Sequence, residues 1–318
     1  MVEKVERKLK WFFLAKADDE RFSKFENIVE GSFVMFCYVI LIGSLILKVS
    51  NLFLDILRYA LLAYIYLFGI YIHKNPAEEL GIAKIRETKD RLFNFKKKGA
   101  ITSVIILVVV SIFVLVLFFE KFNEVLDLMP VFGEINSFIS ENAPWFQYPL
   151  AIIEFSLFQV LLLFFIFRKD NIIPSFKSFG KMVLIVLGII SVLWLVALKP
   201  FWNDFDILDF FALWYGYMFW GIVQQVPFLL YFNTRFRKGL PYRRISEWIN
   251  ILLCAFAFGF FHAPQWTLVV IAFLMEIPLA RMFLHDETRN LLVAGILHGF
   301  MGTCIIVFTN LFILTKFV

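Results

Sequence analysis

The stretch "FALWYGYMFWGIVQQVPFLLYF", residues 211–232, reads as a membrane helix with two adjacent amides, Gln224 and Gln225, and a proline at 227. A hydrocarbon environment leaves unpaired polar groups without water, so buried amides there need partners or a polar cavity. Reading outward from this segment, the rest of the chain has the same character. Of its 318 residues, 61% are hydrophobic and 18% charged, with a mean hydropathy of +0.79. Soluble domains are nearer half apolar and a quarter charged.

A spanning helix needs about 20 mostly apolar residues. The sequence predicts an all-α polytopic membrane protein with about nine transmembrane helices, near 29–48, 52–73, 100–119, 149–167, 182–198, 210–232, 248–263, 266–284 and 291–315. Three regions follow: an N-terminal cytoplasmic or interfacial arm (1–28), a five-helix membrane region (29–198) and a four-helix core (199–318). In the arm, Trp11, Phe12, Phe13 and Leu14 are suited to touch lipid headgroups. Lys and Arg gather in the arm and in the loops after the second, fourth and sixth spans (for example Lys96, Lys97, Lys98, Arg168, Arg235 and Arg237). The alternate loops carry Glu120, Glu124, Asp127, Glu134, Asp204 and Asp206. By the positive-inside rule the N-terminus lies inside and the C-terminus outside. The net charge of +5 comes from these one-sided loops, so membrane lipids are the expected partner and nucleic acid is not.

Cys37, Cys254 and Cys304 lie in apolar runs without a C-x-x-C or zinc spacing, which suits small buried hydrophobes. No H-E-x-x-H occurs, and two histidines without a nearby third ligand make a poor zinc site. No cofactor is expected, although a metal ion stays open at this stage. His73 and His285 fall at helix ends, whereas His262 and His298 lie in "FAFGFFHAPQW" and "LLVAGILHGFMGT". By helical rise, Gln224 and His298 lie roughly 13 and roughly 12 Å from the inner ends of their spans, and His262 roughly 20 Å. All three are expected to face one polar cavity. Glu154 is a further polar group within a span, and the amides Gln159 and Asn310 are read as interhelical hydrogen-bonding groups. Asp55 and Arg58, three residues apart, can pair on one helix face. Glu276 in "IAFLMEIPLARMF" should be neutral or partnered, either beside His262 as a relocated base or with Arg281.

The order of these groups resembles the CPBP intramembrane proteases, the CAAX-protease and bacteriocin-processing enzymes, over residues 211–314. Their motifs read E-E-x-x-x-R, F-x-x-x-H and H-x-x-x-N. Phe258 and His262 fit the second. His298 opens the third, preceded by Thr288, Asn290 and Leu291. Gln224 and Gln225 stand at the two glutamate positions, Leu229 at the arginine and Gly302 at the asparagine. The resemblance implies a catalytic set of Gln224, Gln225, His262 and His298, with Phe258 and Gly302 lining the site, and Glu276 joins the site-lining residues by its place near the middle of its span. It implies a transmembrane or lipidated peptide as substrate and the cytoplasmic membrane of a prokaryote as location. A glutamine amide has essentially no basicity, so the amides read as glutamates made neutral. Three functions stay open: an intramembrane endopeptidase with a modified site, an inactive relative that binds membrane peptides as a scaffold, and a transporter.

Overall fold

The computed structural model describes residues 23–47, 49, 51–67, 81, 109, 171–180, 188, 207–241 and 243–309. The N-terminal arm to residue 22, His73, Glu154, Gln159 and Asn310 lie outside the described residues. So do the expected spans at 100–119, 149–167 and 182–198, except for residues 109 and 188.

The described residues are helical, with no strand among them. In chain order, α1 is Lys24–Ile46, α2 Leu52–Leu67 and α3 residues 172–180. Then come α4 Ile207–Gln225, a π-helical segment Val226–Asn233, α5 Thr234–Gly239, α6 Arg244–Phe260, α7 Trp266–Leu284 and α8 Leu291–Thr309. Two helices among the described residues are long and apolar enough to cross a membrane, Lys24–Ser44 and Trp266–Leu284; Leu291–Ile305 is a shorter apolar one. The expected span 210–232 is an α-helix that changes to π-helix after Gln225. Pro227 explains the change, because it lacks an N–H and its ring clashes with the carbonyl four residues back. That carbonyl belongs to Val223, and the Tyr66 hydroxyl donates to it at 2.8 Å.

Contacts divide the chain into two compact units. One comprises Met1–Ile82, Arg168–Ile190 and Val223–Ala294; the other Ala83–Phe167, Ser191–Ile222 and Gly295–Val318. In the first, α6 and α7 form a hairpin through the tight turn that "HAPQW" predicts, with His262 N–H donating to Gly259 O at 3.0 Å. Gly259 permits the close approach, since a Cβ there would lie 2.7 Å from Val269 O. The turn after α7 is held by Arg289, fully buried, which donates to Phe283 O at 2.7 Å and Leu284 O at 2.9 Å. A cation at a helix C-terminus satisfies carbonyls that have no partner within the helix. Asn290 then caps α8, its Oδ1 accepting from Val293 N–H at 3.1 Å.

Large apolar side chains lie on the outer faces of two helices of this unit, and a few polar groups are buried inside it. Phe25, Val29, Phe33, Phe36 and Ile40 are exposed on α1, and Ile245, Trp248, Ile249, Leu252 and Phe256 on α6. Both sets recur at helical spacing, so each forms one stripe. Inside, Arg235 is buried and donates to Asn27 Oδ1 at 2.6 Å, with Glu30 Oε2 at 3.7 Å. Tyr64 and Tyr231 both donate to Glu30 Oε1, at 2.5 and 2.9 Å. This network ties α1 and α2 to the segment after α4. On α2, Arg58 pairs with Asp55 as their spacing predicts.

Glu30 is half-buried beside the buried Arg235, and removing it takes the nearby carboxylate from that charge. Glu30→Ala should therefore lower stability by about 3 kcal/mol in detergent. Thermal unfolding checks this, and Glu30→Leu with Arg235→Met should recover most of the loss. A double variant less stable than Glu30→Ala would contradict the assignment.

Candidate functional site

In the first unit, Gln225 is the last residue of α4 and Glu276 lies mid-way along α7. Both are fully buried, and Gln225 Nε2 donates to Glu276 Oε2 at 2.8 Å. Glu276 is the only carboxyl among the buried polar residues described. Its Oε1 has no hydrogen-bond partner. The expected pairing with Arg281 is thus replaced by one with Gln225, and Arg281 is exposed. The reason is geometric: five residues along a helix turn a side chain to another face.

Further buried polar groups line the same helices. Asn233, the last residue of the π-helical segment, donates through Nδ2 to Ala280 O at 3.1 Å. Its own backbone carbonyl accepts from Asn250 Nδ2 at 3.1 Å, and Asn250 Oδ1 accepts from Cys254 Sγ at 3.4 Å. These interactions join the segment after α4 to α6 and α7. Cys254 is buried as its apolar run predicts. Asn233 and Asn250 were not singled out in the sequence. The visible signal was an asparagine closing a long apolar run in "YFNTRF", with another 17 residues on in "SEWINILL".

His262 sits just after the end of α6. Its Nδ1 lies 3.0 Å from Phe258 O, and the two rings meet edge to face with centroids 4.9 Å apart. A carbonyl oxygen only accepts, so this contact makes Nδ1 the protonated nitrogen and leaves the Nε2 lone pair outward from it. Phe258, the first residue of the F-x-x-x-H motif, therefore acts twice: its carbonyl fixes the tautomer and its ring holds the imidazole. Phe228 packs on Phe258 at 5.1 Å, one turn beyond Gln224. The carboxyl of Glu276 is bonded to Gln225, not to His262, so the expected hydrogen bond of a relocated base to His262 is not formed.

The second unit holds His298 and Gly302. His298 is 6% exposed and stacks on Tyr217, with centroids 5.8 Å apart and planes 12° from parallel. Gly221 makes room for the imidazole, since a Cβ there would lie 2.7 Å from His298 Cδ2. A Cβ on Gly302 would lie 2.1 Å from Tyr217 Cε1. Gly302 is thus more than the site of a missing asparagine. The Tyr217 ring fills the volume beside it, and sequence spacing alone gave no sign of that. Trp214 closes the same face, donating through Nε1 to Ile296 O at 3.1 Å and meeting Phe300 edge to face at 5.5 Å. Gln224, 7% exposed, belongs with Gln225, His262 and Glu276 to the first unit. Among the described residues no three His, Cys, Asp or Glu side chains group as a metal site.

Residues 206–304 match the family model described as type II CAAX prenyl endopeptidase Rce1-like, a segment that contains every candidate site residue. Over this segment the chain is similar to the Rce1-like family, consistent with the CPBP proteases it resembles in sequence. No curated protein and no solved structure matches it.

The Tyr217 contact sets a limit on rebuilding the third motif. Gly302→Asn alone should destabilise by about 1–3 kcal/mol, the usual range for overpacking. Adding Tyr217→Ala should relieve the clash, because the obstacle is a side chain. Thermal unfolding of the single and double variants checks this; equal stability of Gly302→Asn and wild type would contradict it.

Proposed function

We propose that the chain is an integral membrane endopeptidase of the CPBP type that hydrolyses a peptide bond in a membrane-associated peptide, such as a lipidated C-terminal tail. One observation carries the reading. The Nδ1 contact of His262 with Phe258 O leaves Nε2 able to take a proton from water. In this proposal His262 activates the water, Gln224 orients it through its amide, and His298 donates to the developing oxyanion. The Rce1-like match over residues 206–304 supports the assignment. So do the outward apolar stripes on α1 and α6, which suit contact with lipid.

The membrane topology belongs to the same proposal: about nine spans, the N-terminus inside and the C-terminus outside, in the cytoplasmic membrane of a prokaryote. The arm 1–28, the five-helix region 29–198 and the core 199–318 are its working divisions. Single cysteines at Lys97 and Glu134 should react with a membrane-impermeant maleimide from opposite sides, Lys97 from the inside. Labelling of both from one side would reject this topology.

A second reading is favoured by the Tyr217 ring beside Gly302 and by the amide at 224: an inactive relative that binds membrane peptides. Proteolysis separates the two. Purified protein in proteoliposomes should cut a membrane-peptide library, with new termini read by mass spectrometry. His262→Ala should lower the rate by about 10²–10⁴, the usual contribution of a general base. Equal peptide binding by both proteins, without cleavage by either, would establish the binding role instead.

A further inference from the structure

Gln225 and Glu276 occupy positions 51 residues apart in sequence and one hydrogen bond apart in space. We infer that Glu276 is a positioning residue of the candidate site and that Gln225 is its amide complement, not a glutamate that has drifted to neutrality. The inference rests on the endopeptidase reading for its functional half and on geometry alone for the pairing.

The two side chains are fully buried, so neither is solvated in exchange for the other. What faces Oε2 is an N–H, so this oxygen accepts. Another carboxylate at position 225 would bring like charges to hydrogen-bond distance, an arrangement that persists only by sharing a proton. The amide at 225 is therefore required by the carboxyl at 276. Nor is Glu276 one half of an ion pair. The described ion pairs include Arg58–Asp55, Arg235–Glu30 and Arg289–Asp286, and Glu276 is in none of these.

Orientation is what the pair confers. Glu276 Oε2 accepts from the Gln225 N–H, and this bond holds one orientation of the Gln225 amide, with N–H toward α7 and C=O away from it. An amide at 276 would accept either orientation, because it presents a donor and an acceptor. Gln225 closes α4 immediately before the π-helical segment, where the regular hydrogen-bond ladder changes. Pinning Gln225 there sets the rotation of the helix end. Gln224, about 100° around the helix from it, is thereby aimed. Glu276 acts on the site through this rotation, and the bond is not a mere link between helices.

A charge transposition tests it. Wild type, Glu276→Gln, Gln225→Glu and the double variant Gln225→Glu/Glu276→Gln are compared for thermal midpoint in one detergent and for kcat and KM on the membrane peptide cut by wild type, with His262→Ala as control. Gln225→Glu should fall in midpoint and turnover. The double variant should regain the wild-type midpoint within a few degrees and most of the turnover, because one carboxyl and one amide again face each other. Glu276→Gln should keep its midpoint and lose several-fold in kcat at unchanged KM, a split that a purely structural bond does not produce. A double variant no better than Gln225→Glu overturns the pairing, and unchanged kcat in Glu276→Gln overturns the positioning role. No turnover by wild type rejects the endopeptidase reading and with it the positioning role. The pairing is then decided by whether the double variant regains its midpoint.

Discussion

A carboxyl in the interior of an apolar helix bundle has to meet a hydrogen-bond donor, and the donor that meets Glu276 is the side-chain amide of Gln225. The pair fixes where the end of α4 lies against α7. Below it the π-helical segment continues the connection through Asn233 to Ala280 and through its backbone to Asn250 on α6. Three helical segments are thus joined by amides and one carboxyl in place of interdigitating hydrophobes alone. Apolar side chains that a water-soluble domain would turn inward lie outside instead, along α1 and α6. Hydrogen bonds between buried polar side chains, beside outward stripes of Phe, Ile and Leu, are an arrangement that suits lipid better than water.

The local features of this chain were legible in its sequence. Trp266–Leu284 begins and ends where its apolar run does, because a turn at "HAPQW" precedes it and the charged "HDETR" follows. The Asp55–Arg58 pair depends on residues three apart, which helical geometry fixes without tertiary knowledge. Pro227 was visible as an interruption, yet its consequence was not. The carbonyl it frees is met by Tyr66, 157 residues earlier, and no spacing rule connects the two.

The site was legible as residue types and not as partnerships. Gln225 and Glu276 were each marked as polar groups needing an explanation. Arg281 was offered as a partner because it was near in sequence, whereas the partner in space comes from another helix. Gly302 was read as an absence, and the volume it leaves is taken by Tyr217 from α4. Both cases share a physical reason. Helix-to-helix complementarity is set by which faces meet, and a single chain's periodicity gives each face without naming its neighbour.

These partnerships separate the two amides that begin the reading. Gln225 is committed to Glu276, so its lack of charge says nothing about lost chemistry. The chemical question passes to His262, whose imidazole is oriented by the carbonyl of Phe258 in the last turn of α6. If that contact governs the ring, the neutral imidazole holds its proton on Nδ1 and presents Nε2 as a base. The direct measurement is the ¹⁵N spectrum of protein labelled at histidine, with His262 assigned by its loss in His262→Ala. The account predicts a protonated Nδ1 and an unprotonated Nε2 for the neutral ring. A proton found on Nε2 instead would contradict it, for the lone pair would then point at a carbonyl and no base would remain to act on water.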